Sequence, residues 1–284
     1  MPTLIYSKIN TASKNICEYI INKYNFEKTN ENEWGKNIQN IEVKIVKVEE
    51  NVIDFSFKDE SDYLIVPSTH KSTSNTKTLG VHVPGNWSTA DLGGKKETLN
   101  MCYSSKMKTI LLNINKLAEE RGLIKIEKER GWEITLEVDH HGPTPPEINE
   151  KTPIMFVEIG STEEEWNDKE AVELIGDAII NSIPDNTKYP TVLGFGGGHY
   201  ASKFNKYELN DGEYKKLNYA ISHILPKYRF DDFEKSAEEM FKQVLNKNVE
   251  KIEKVLIDWK GLKSDQRQLI VDLCERNDIK WEKV

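Results

Sequence analysis

Apolar positions along the chain follow two alternating periods, one typical of strands and one typical of helices. Residues 41–48 alternate apolar and polar side chains, which predicts a half-buried strand, and residues 51–57 repeat the alternation, which predicts a hairpin. Residues 153–160 form a continuous apolar run, which is typical of a strand covered on both faces. Further strands are predicted at 63–68, 132–140, 191–199, 219–226 and 254–259, and helices at 11–24, 100–121, 162–181, 231–248 and 263–276.

This alternation of strands and helices predicts an α/β protein with a three-layer α/β/α sandwich. We expect its central sheet to be mixed because the 41–57 hairpin is antiparallel. No change in composition marks a linker, so residues 1–284 are predicted to form a single domain. Residues 68–98 are rich in Ser, Thr, Asn and Gly, and a polar stretch of this length is either functional or disordered. Within it, Trp87 would either stack on a substrate or anchor a mobile loop.

Composition narrows the class of protein. Hydrophobic residues make up 37% of the chain and charged residues 30%, which is typical of a globular domain. No run of 18 apolar residues and no signal-peptide pattern are present, so we expect a cytoplasmic protein without a membrane partner. The three cysteines are odd in number and far apart, which favours free thiols over disulfides or a thiolate zinc site.

The net charge of −8 bears on possible partners. A protein that wraps nucleic acid usually carries the opposite sign, so any contact with RNA should be local. Lysine pairs that flank the polar segments would either hold phosphates or be solvated surface. These pairs are Lys95/Lys96, Lys106/Lys108, Lys203/Lys206 and Lys215/Lys216.

Five of the six histidines fall in four polar segments, and three of these segments directly follow a predicted strand. In open α/β sheets, sites form where loops leave the carboxyl ends of strands. Histidine acts as acid, base or metal ligand near neutral pH. The clustering therefore indicates an active site. The five residues are His70, His82, His140, His141 and His199.

Two of these segments contain the candidates for acid–base chemistry. His140 and His141 would point to opposite faces of a regular strand, but the Gly-Pro that follows lets the chain turn the second ring inward. They are therefore read as one catalytic or ligating histidine with an orienting partner, or as a hydrogen-bonded strand end. Glu158 lies inside an apolar strand, where a carboxylate is costly unless it is paired or functional. It is a candidate general base or metal ligand.

Two other segments offer backbone groups. Thr162 with Glu165, and Ser161 with Glu164, have capping-box spacing, and free N–H groups at a helix start can also bind a phosphate or an oxyanion. The glycines at 196–198 match neither a dinucleotide fingerprint nor a P-loop. They would let a substrate approach the backbone closely, or they form a tight turn.

Four motifs in this order resemble the D-aminoacyl-tRNA deacylases of archaea and plants: the His70 segment with VHVPGN, then HHGP, EIGSTEEEW and GFGGGHYA. The resemblance runs from about residue 60 to residue 225. One departure is Asp139, where a threonine is common in that family. The resemblance implies an α/β/α fold similar to peptidyl-tRNA hydrolases and phosphorylases. It also implies hydrolysis of the ester that joins a D-amino acid to tRNA, and zinc binding.

Carried onto this chain, the resemblance makes His140 or His141 the base or ligand, Glu158 the orienting carboxylate and His199 an assisting group. Zinc would be held by His140, His141 and Glu158, although no tight metal-binding spacing is present. The partner would be a tRNA carrying a D-amino acid, and the protein would be a monomer. The expected substrate contacts are His70, His82, Asn86, Ser161, Thr162, Gly196, Gly197 and Gly198.

Two other classes of protein remain as alternatives. One is a related hydrolase on the same fold that acts on peptidyl-tRNA or another ester or amide. The other is an RNA-binding protein without catalysis. The acidic net charge and the histidines at strand ends disfavour the second alternative.

Overall fold

The computed structural model describes residues 1–72, 75–124 and 131–284, apart from the side chains at positions 213 and 215. Thr73 and Ser74, which end the first polar segment, lie outside the described residues, as does the side chain of Lys215. The strands are β1 (Thr3–Ser7), β2 (Glu27–Asn30), β3 (Glu33–Ile38), β4 (Ile41–Val48), β5 (Leu64–Lys71), β6 (Thr78–His82), β7 (Gly85–Asn86), β8 (Thr98–Leu99), β9 (Glu133–Leu136), β10 (Ile154–Ser161), β11 (Thr191–Phe195), β12 (Ala220–Leu225), β13 (Ile252–Ile257) and β14 (Lys280–Lys283). The helices are α1 (Thr11–Tyr24), α2 (Ser104–Glu120), α3 (Glu163–Trp166), α4 (Lys169–Ser182), α5 (Ser202–Glu208), α6 (Phe230–Phe233), α7 (Ala237–Asn246) and α8 (Ser264–Arg276), with short 3-10 turns at Gly212–Lys216, Lys227–Arg229 and Glu234–Ser236.

The strands form a large mixed sheet and a smaller parallel one, which confirms the α/β class. The mixed sheet has eight strands in the order β2-β3-β4-β1-β5-β10-β6-β9. The strands predicted at 191–199, 219–226 and 254–259 do not join it. Instead, they pair with β14 in a separate sheet of order β12-β11-β13-β14, in which every pairing is parallel. Strands β7 and β8 form a third, two-stranded sheet inside the polar stretch 68–98, so that stretch is not a single loop.

The predicted hairpin of 41–48 with 51–57 is wrong in its second strand. The antiparallel partner of β4 is β3, with Trp34 opposite Ile45. Residues 51–57 turn beneath the large sheet and bury Val52, Phe55 and Phe57 there. Alternating apolar residues can be buried by a turning segment as well as by a strand, which is why the pattern misled the prediction.

Strand β10 is an interior strand of the large sheet. It pairs in parallel with β5 and antiparallel with β6, and all eight of its residues are buried, which confirms the prediction from its apolar run. The helix predicted over 162–181 is two helices, and the second is capped by Asp168, whose side chain accepts from the N–H of Ala171. Helix α1 matches its predicted bounds, and it is capped by Asn10, whose side chain accepts from the N–H of Ser13.

The two larger sheets share one apolar core. Val192, Ile221 and Leu256 of the parallel sheet belong to the same buried cluster as Leu79 and Val157 of the mixed sheet. A second cluster lies around the parallel sheet and contains four phenylalanines and Trp87, with Trp259 and Trp281 packed against it. No helix in the described ranges has both the length and the apolar character that a membrane crossing requires.

Candidate active site

The predicted histidines meet on one face of the large sheet rather than at its edge. Strands β6 and β9 run parallel to each other, and β6 runs antiparallel to β10. Strands β5 and β6 therefore run in opposite directions, and their carboxyl ends lie at opposite ends of the strands of β10 and its neighbours. The histidine side chains converge on the face of the sheet instead. In register, His70 lies opposite Gly160 of β10, and His82 lies opposite Phe156. Because alternate residues share a face, Glu158 lies between these two positions on the same face.

Glu137, which the sequence analysis did not single out, is the centre of the cluster. Its carboxylate lies 2.8 Å from His70 Nδ1, 3.0 Å from His140 Nε2 and 3.1 Å from His199 Nε2. The side chain is fully buried. Glu137 has the same signature as Glu158, a carboxylate inside a buried apolar segment, and it precedes His140 by three residues. That signature could have identified it.

Glu158 forms the second centre. One carboxylate oxygen lies 3.5 Å from His70 Nδ1 and 3.5 Å from His82 Nε2, and neither oxygen has a hydrogen-bond partner. The His82 ring stacks on His140 with 3.9 Å between ring centroids. His141 lies next to His140 at 4.1 Å between centroids. We call these seven residues the Glu137 cluster: His70, His82, Glu137, His140, His141, Glu158 and His199.

Within the Glu137 cluster, the pKa values of two histidines are raised and those of two others are lowered. Burial alone would lower the pKa of His70, but its hydrogen bond to Glu137 raises that pKa to about 9. The pKa of His82 is also raised, because Glu158 outweighs its burial. Burial, with the charges of neighbouring histidines, holds the pKa of His140 well below its usual value. Burial lowers the pKa of His141 to about 4.

The tautomer of His140 follows from these contacts. Glu137 stays ionised, because hydrogen bonds from three histidines hold its pKa well below the usual range despite its burial. A carboxylate can only accept a hydrogen bond, so His140 Nε2 carries the ring proton and donates a hydrogen bond to Glu137. The Nδ1 atom of the neutral ring then carries a free lone pair, and this buried atom has no hydrogen-bond partner. The arrangement places an oriented imidazole base beside the site.

Two glycines of the sheet make room for this arrangement. A Cβ on Gly80 would lie 2.7 Å from Glu137 Oε1 and 3.0 Å from Thr135 Oγ1. A Cβ on Gly160 would lie 3.2 Å from His70 Cβ. Both distances to Gly80 are shorter than normal van der Waals contact, so the carboxylate occupies the space that a side chain would fill.

His199 lies at the mouth of the cluster. About a third of its side chain is exposed, whereas the rings of His70, His82 and His140 are almost fully enclosed. The glycine loop delivers it: Gly196 and Gly197 have φ values of 112° and 80°, which only glycine adopts readily. A Cβ on Gly198 would meet no atom within 4 Å, so this part of the loop borders open space.

The side chains of three predicted substrate contacts have hydrogen-bond partners within the protein. The Ser161 hydroxyl donates to the carbonyl of Thr76, and the Thr162 hydroxyl donates to Glu165, whose carboxylate also accepts the Thr162 N–H. The predicted capping box thus forms at Thr162 and not at Ser161. The amide of Asn86 is buried and donates to the carbonyls of Gly93 and Lys95.

Burial decides two alternatives that the sequence left open: Trp87 anchors its segment, and Lys106 and Lys108 neither hold phosphates nor lie on the surface. Trp87 cannot stack on a substrate in this structure because its ring is buried against Phe195, Phe233 and His223. Lys106 and Lys108 cannot hold phosphates because both are buried and donate to backbone carbonyls. The sequence does not distinguish a lysine that is buried on a helix from one that is exposed on the surface, and only the packing does.

Asp139 does not face the Glu137 cluster. Its carboxylate accepts from His223 Nδ1 at 2.6 Å and from the N–H of Ile224 at 2.8 Å. His223 Nε2 lies 2.9 Å from the carbonyl of Lys247. Asp139 therefore anchors the double-histidine segment to β12, and its charge is taken up there rather than beside His140.

The cluster contains two groups of possible metal ligands: His82, Glu137, His140 and Glu158, and then His70, Glu137 and His199. In each group one ligand atom from every residue lies within 4.8 Å of the others. His141 belongs to neither group, although it was a predicted ligand. The buried oxygens of Glu158 and the Nε2 atom of His82 lack partners, which fits a cation held between them.

The fold and the cluster therefore define a class: an α/β protein with a largely buried group of five histidines organised by two carboxylates. Comparison with known proteins identifies the family. The family model for D-aminoacyl-tRNA deacylase matches residues 57–282, and the chain belongs to this family. A D-aminoacyl-tRNA deacylase from Pyrococcus furiosus is 31% identical over 100% of both chains, and one from Methanococcus maripaludis is 34% identical over 99% of this chain and 98% of its own.

A solved structure agrees with the fold. The crystal structure of a conserved protein of unknown function has a TM-score of 0.84 to this chain with 26% sequence identity, and the match covers 100% of this chain and 95% of that protein. The likeness thus extends over the whole arrangement of sheets.

Proposed function

We propose that the Glu137 cluster is the active site at which this hydrolase cleaves the ester between a D-amino acid and tRNA. Family membership and full-length relatives support the reaction. The observation that supports the location is the neutral, oriented His140, because an aminoacyl ester is activated already and its hydrolysis needs mainly a positioned water and a base.

In this mechanism, His140 Nδ1 takes a proton from water as the water oxygen attacks the ester carbonyl. The bond between the carbonyl carbon and the ribose oxygen then breaks, and the ribose oxygen takes the proton from His140. Glu137 orients the ring and stabilises its charged form. His70, which its hydrogen bond to Glu137 keeps positively charged, and His82, whose pKa is raised by Glu158, are placed to stabilise the developing oxyanion.

The assignment of the orienting carboxylate changes from the sequence prediction. Glu158 was expected to orient the catalytic histidine, but it contacts His82 and His70, and Glu137 contacts His140. The proposed roles are therefore His140 as base, Glu137 as orienting group and Glu158 as the partner of His82. The reacting groups are bordered by His141, which is a second neutral base, and by His199, which lies nearest the opening of the site.

We assign zinc as the metal that fits the two ligand groups, because imidazole and carboxylate donors suit it. His70, Glu137 and His199 would hold it with His140 left free to act as the base, whereas binding by His82, Glu137, His140 and Glu158 would occupy His140 and exclude that role. A bound zinc ion would supply Lewis-acid polarisation and a more acidic water. Any proton on a ligating imidazole nitrogen would be released on binding, because metal ligands must be deprotonated.

Deacylation of D-tyrosyl-tRNA against L-tyrosyl-tRNA, with and without a chelator, tests reaction and metal together. We expect release of D-tyrosine and little of L-tyrosine, because steric exclusion of the L side chain would give the selectivity. His140→Ala is expected to lower the rate at least tenfold. Full activity in His140→Ala would refute its role, and full activity of metal-depleted protein would refute a catalytic zinc.

Three broader proposals complete this function. The protein acts in the cytoplasm, where aminoacyl-tRNA is made. It acts as one domain, which the core shared by the two sheets supports. It acts as a monomer, since the Glu137 cluster draws all its members from one chain.

A further inference from the structure

The carboxyl edge of the parallel sheet carries a row of cations beside the glycine loop. The strands β11, β13 and β14 end in register, with Phe195 opposite Ile257 and Ile257 opposite Lys283. The segments that leave these ends therefore lie side by side. We call six cations there the cationic edge: Lys203, Lys227, Lys260, Lys263, Arg267 and Lys283.

The cationic edge is continuous with the active site. The N–H of Lys227 donates to the carbonyl of Gly197 at 3.0 Å. A Cβ on Gly196 would lie 2.8 Å from the Cβ of Asp258, so the glycine loop packs directly on the segment after β13. The same loop carries His199, whose carbonyl accepts from the N–H of Val138 next to Glu137. A polymer lying along the edge would therefore reach the mouth of the site.

Four of the six cations of this edge are not paired with a carboxylate in the part of the chain that the structure describes. The segment 258–267 contains two carboxylates, Asp258 and Asp265, and the first is bonded to Lys203 and to the N–H of Gly261. Lys227, Lys260, Lys263 and Lys283 are exposed, and none has a carboxylate partner within the described residues. A chain of net charge −8 thus keeps a local cationic surface here.

Aromatic rings are placed among these cations. Lys283 Nζ lies 3.9 Å from the centroid of Trp259, and Arg267 Cζ lies 4.9 Å from the same ring. Tyr228, at the end of β12, has about half of its surface exposed. Lysines interleaved with aromatic rings suit a nucleic-acid backbone with unpaired bases, because phosphates bind the cations and bases stack on rings.

We propose that the cationic edge docks the phosphate backbone of tRNA and directs its 3′ end past His199 into the Glu137 cluster. This inference rests on the proposed function for the identity of the RNA. It explains how an acidic protein binds a polyanion, since the contact is confined to one edge of one sheet. It also assigns the parallel sheet a binding role and the mixed sheet the chemistry.

The test compares two triple variants with the same change in charge. Lys260→Gln, Lys263→Gln and Lys283→Gln together remove the cations of the edge. Lys14→Gln, Lys28→Gln and Lys58→Gln together serve as the control, because these lysines are exposed on the other part of the molecule and Lys28 lies over Trp34 as Lys283 lies over Trp259. Binding of tRNA that carries no amino acid is measured by fluorescence anisotropy over a series of salt concentrations.

We expect the edge variant to bind roughly tenfold more weakly at ~0.1 M salt, with a salt slope that is less steep by about 2 to 3. Its KM for D-aminoacyl-tRNA should rise while kcat stays near the wild-type value. Equal weakening by both triple variants, or no weakening by the edge variant, would overturn the proposal. Because the binding assay needs no hydrolysis, a protein that binds tRNA through this edge without deacylating it would refute the proposed function and leave the docking surface supported.

Discussion

Replacing Glu137 by glutamine would remove one negative charge from the centre of the active site without changing the shape of the side chain. Three imidazoles depend on that carboxylate, at 2.8, 3.0 and 3.1 Å. Glutamine has one accepting oxygen, and its NH₂ group donates. If that group faces His140 Nε2, the ring must carry its proton on Nδ1, and the base that we assign to water activation is lost.

The magnitude follows from the same contacts. Burial lowers the pKa of His70, but Glu137, with a smaller contribution from Glu158, raises it from 6.5 to about 9, and this net shift corresponds to about 3 kcal/mol. Loss of an oriented general base typically costs about 10²- to 10⁴-fold in rate. We therefore expect Glu137→Gln to lower kcat at least a hundredfold, and KM to change little because the cationic edge is untouched.

The assay is single-turnover and steady-state deacylation of D-tyrosyl-tRNA. Glu208→Gln is the matched control, because Glu208 is also a fully buried glutamate but lies outside the Glu137 cluster. Circular dichroism on both variants separates misfolding from loss of chemistry. A Glu137→Gln protein that is folded and within threefold of wild-type kcat would refute the role of Glu137 and, with it, the tautomer argument for His140.

Three further predictions follow from packing and burial. Gly80→Ala should lower kcat about tenfold or more, because the new Cβ would lie 2.7 Å from Glu137 Oε1 and displace it, whereas Gly35→Ala, which meets only a methyl group at 3.2 Å, should not; equal kinetics of the two variants would contradict this. Burial raises the pKa of Glu208 from 4.5 to about 7, so its contribution to stability is present below its unfolded pKa and is lost as the pH rises through about 7. In urea unfolding, we expect Glu208→Gln to remove up to about 3 kcal/mol of this decline in stability between pH 5 and pH 8. Parallel plots of unfolding free energy against pH for the wild type and the variant would speak against it. Trp87→Ala should cost about 3 to 5 kcal/mol in urea unfolding because the ring is fully enclosed, and a loss below about 1 kcal/mol would show that the loop is not anchored as described.

The sequence alone carried the identity of most of the chemistry. Histidines concentrated in polar segments indicated the active site, and the structure brings all five of them together. The cost of a carboxylate inside an apolar strand singled out Glu158 before its contacts were known. The order of the four motifs led to the family, which the full-length relatives confirm. Local periodicity also gave the bounds of α1 and β4 without error.

Only the tertiary structure decided how these groups are arranged. The direction of β6 and β9 places the site on a sheet face, and strand direction depends on pairings between residues far apart in the chain. The importance of Glu137 comes from the absence of a side chain on Gly80, one strand away. The burial of Trp87 and Lys108 likewise depends on what packs over them. Periodicity reports which side of an element is buried, but it holds no information on which distant residue fills the space beside it, and in this protein that information places Glu137 among the histidines.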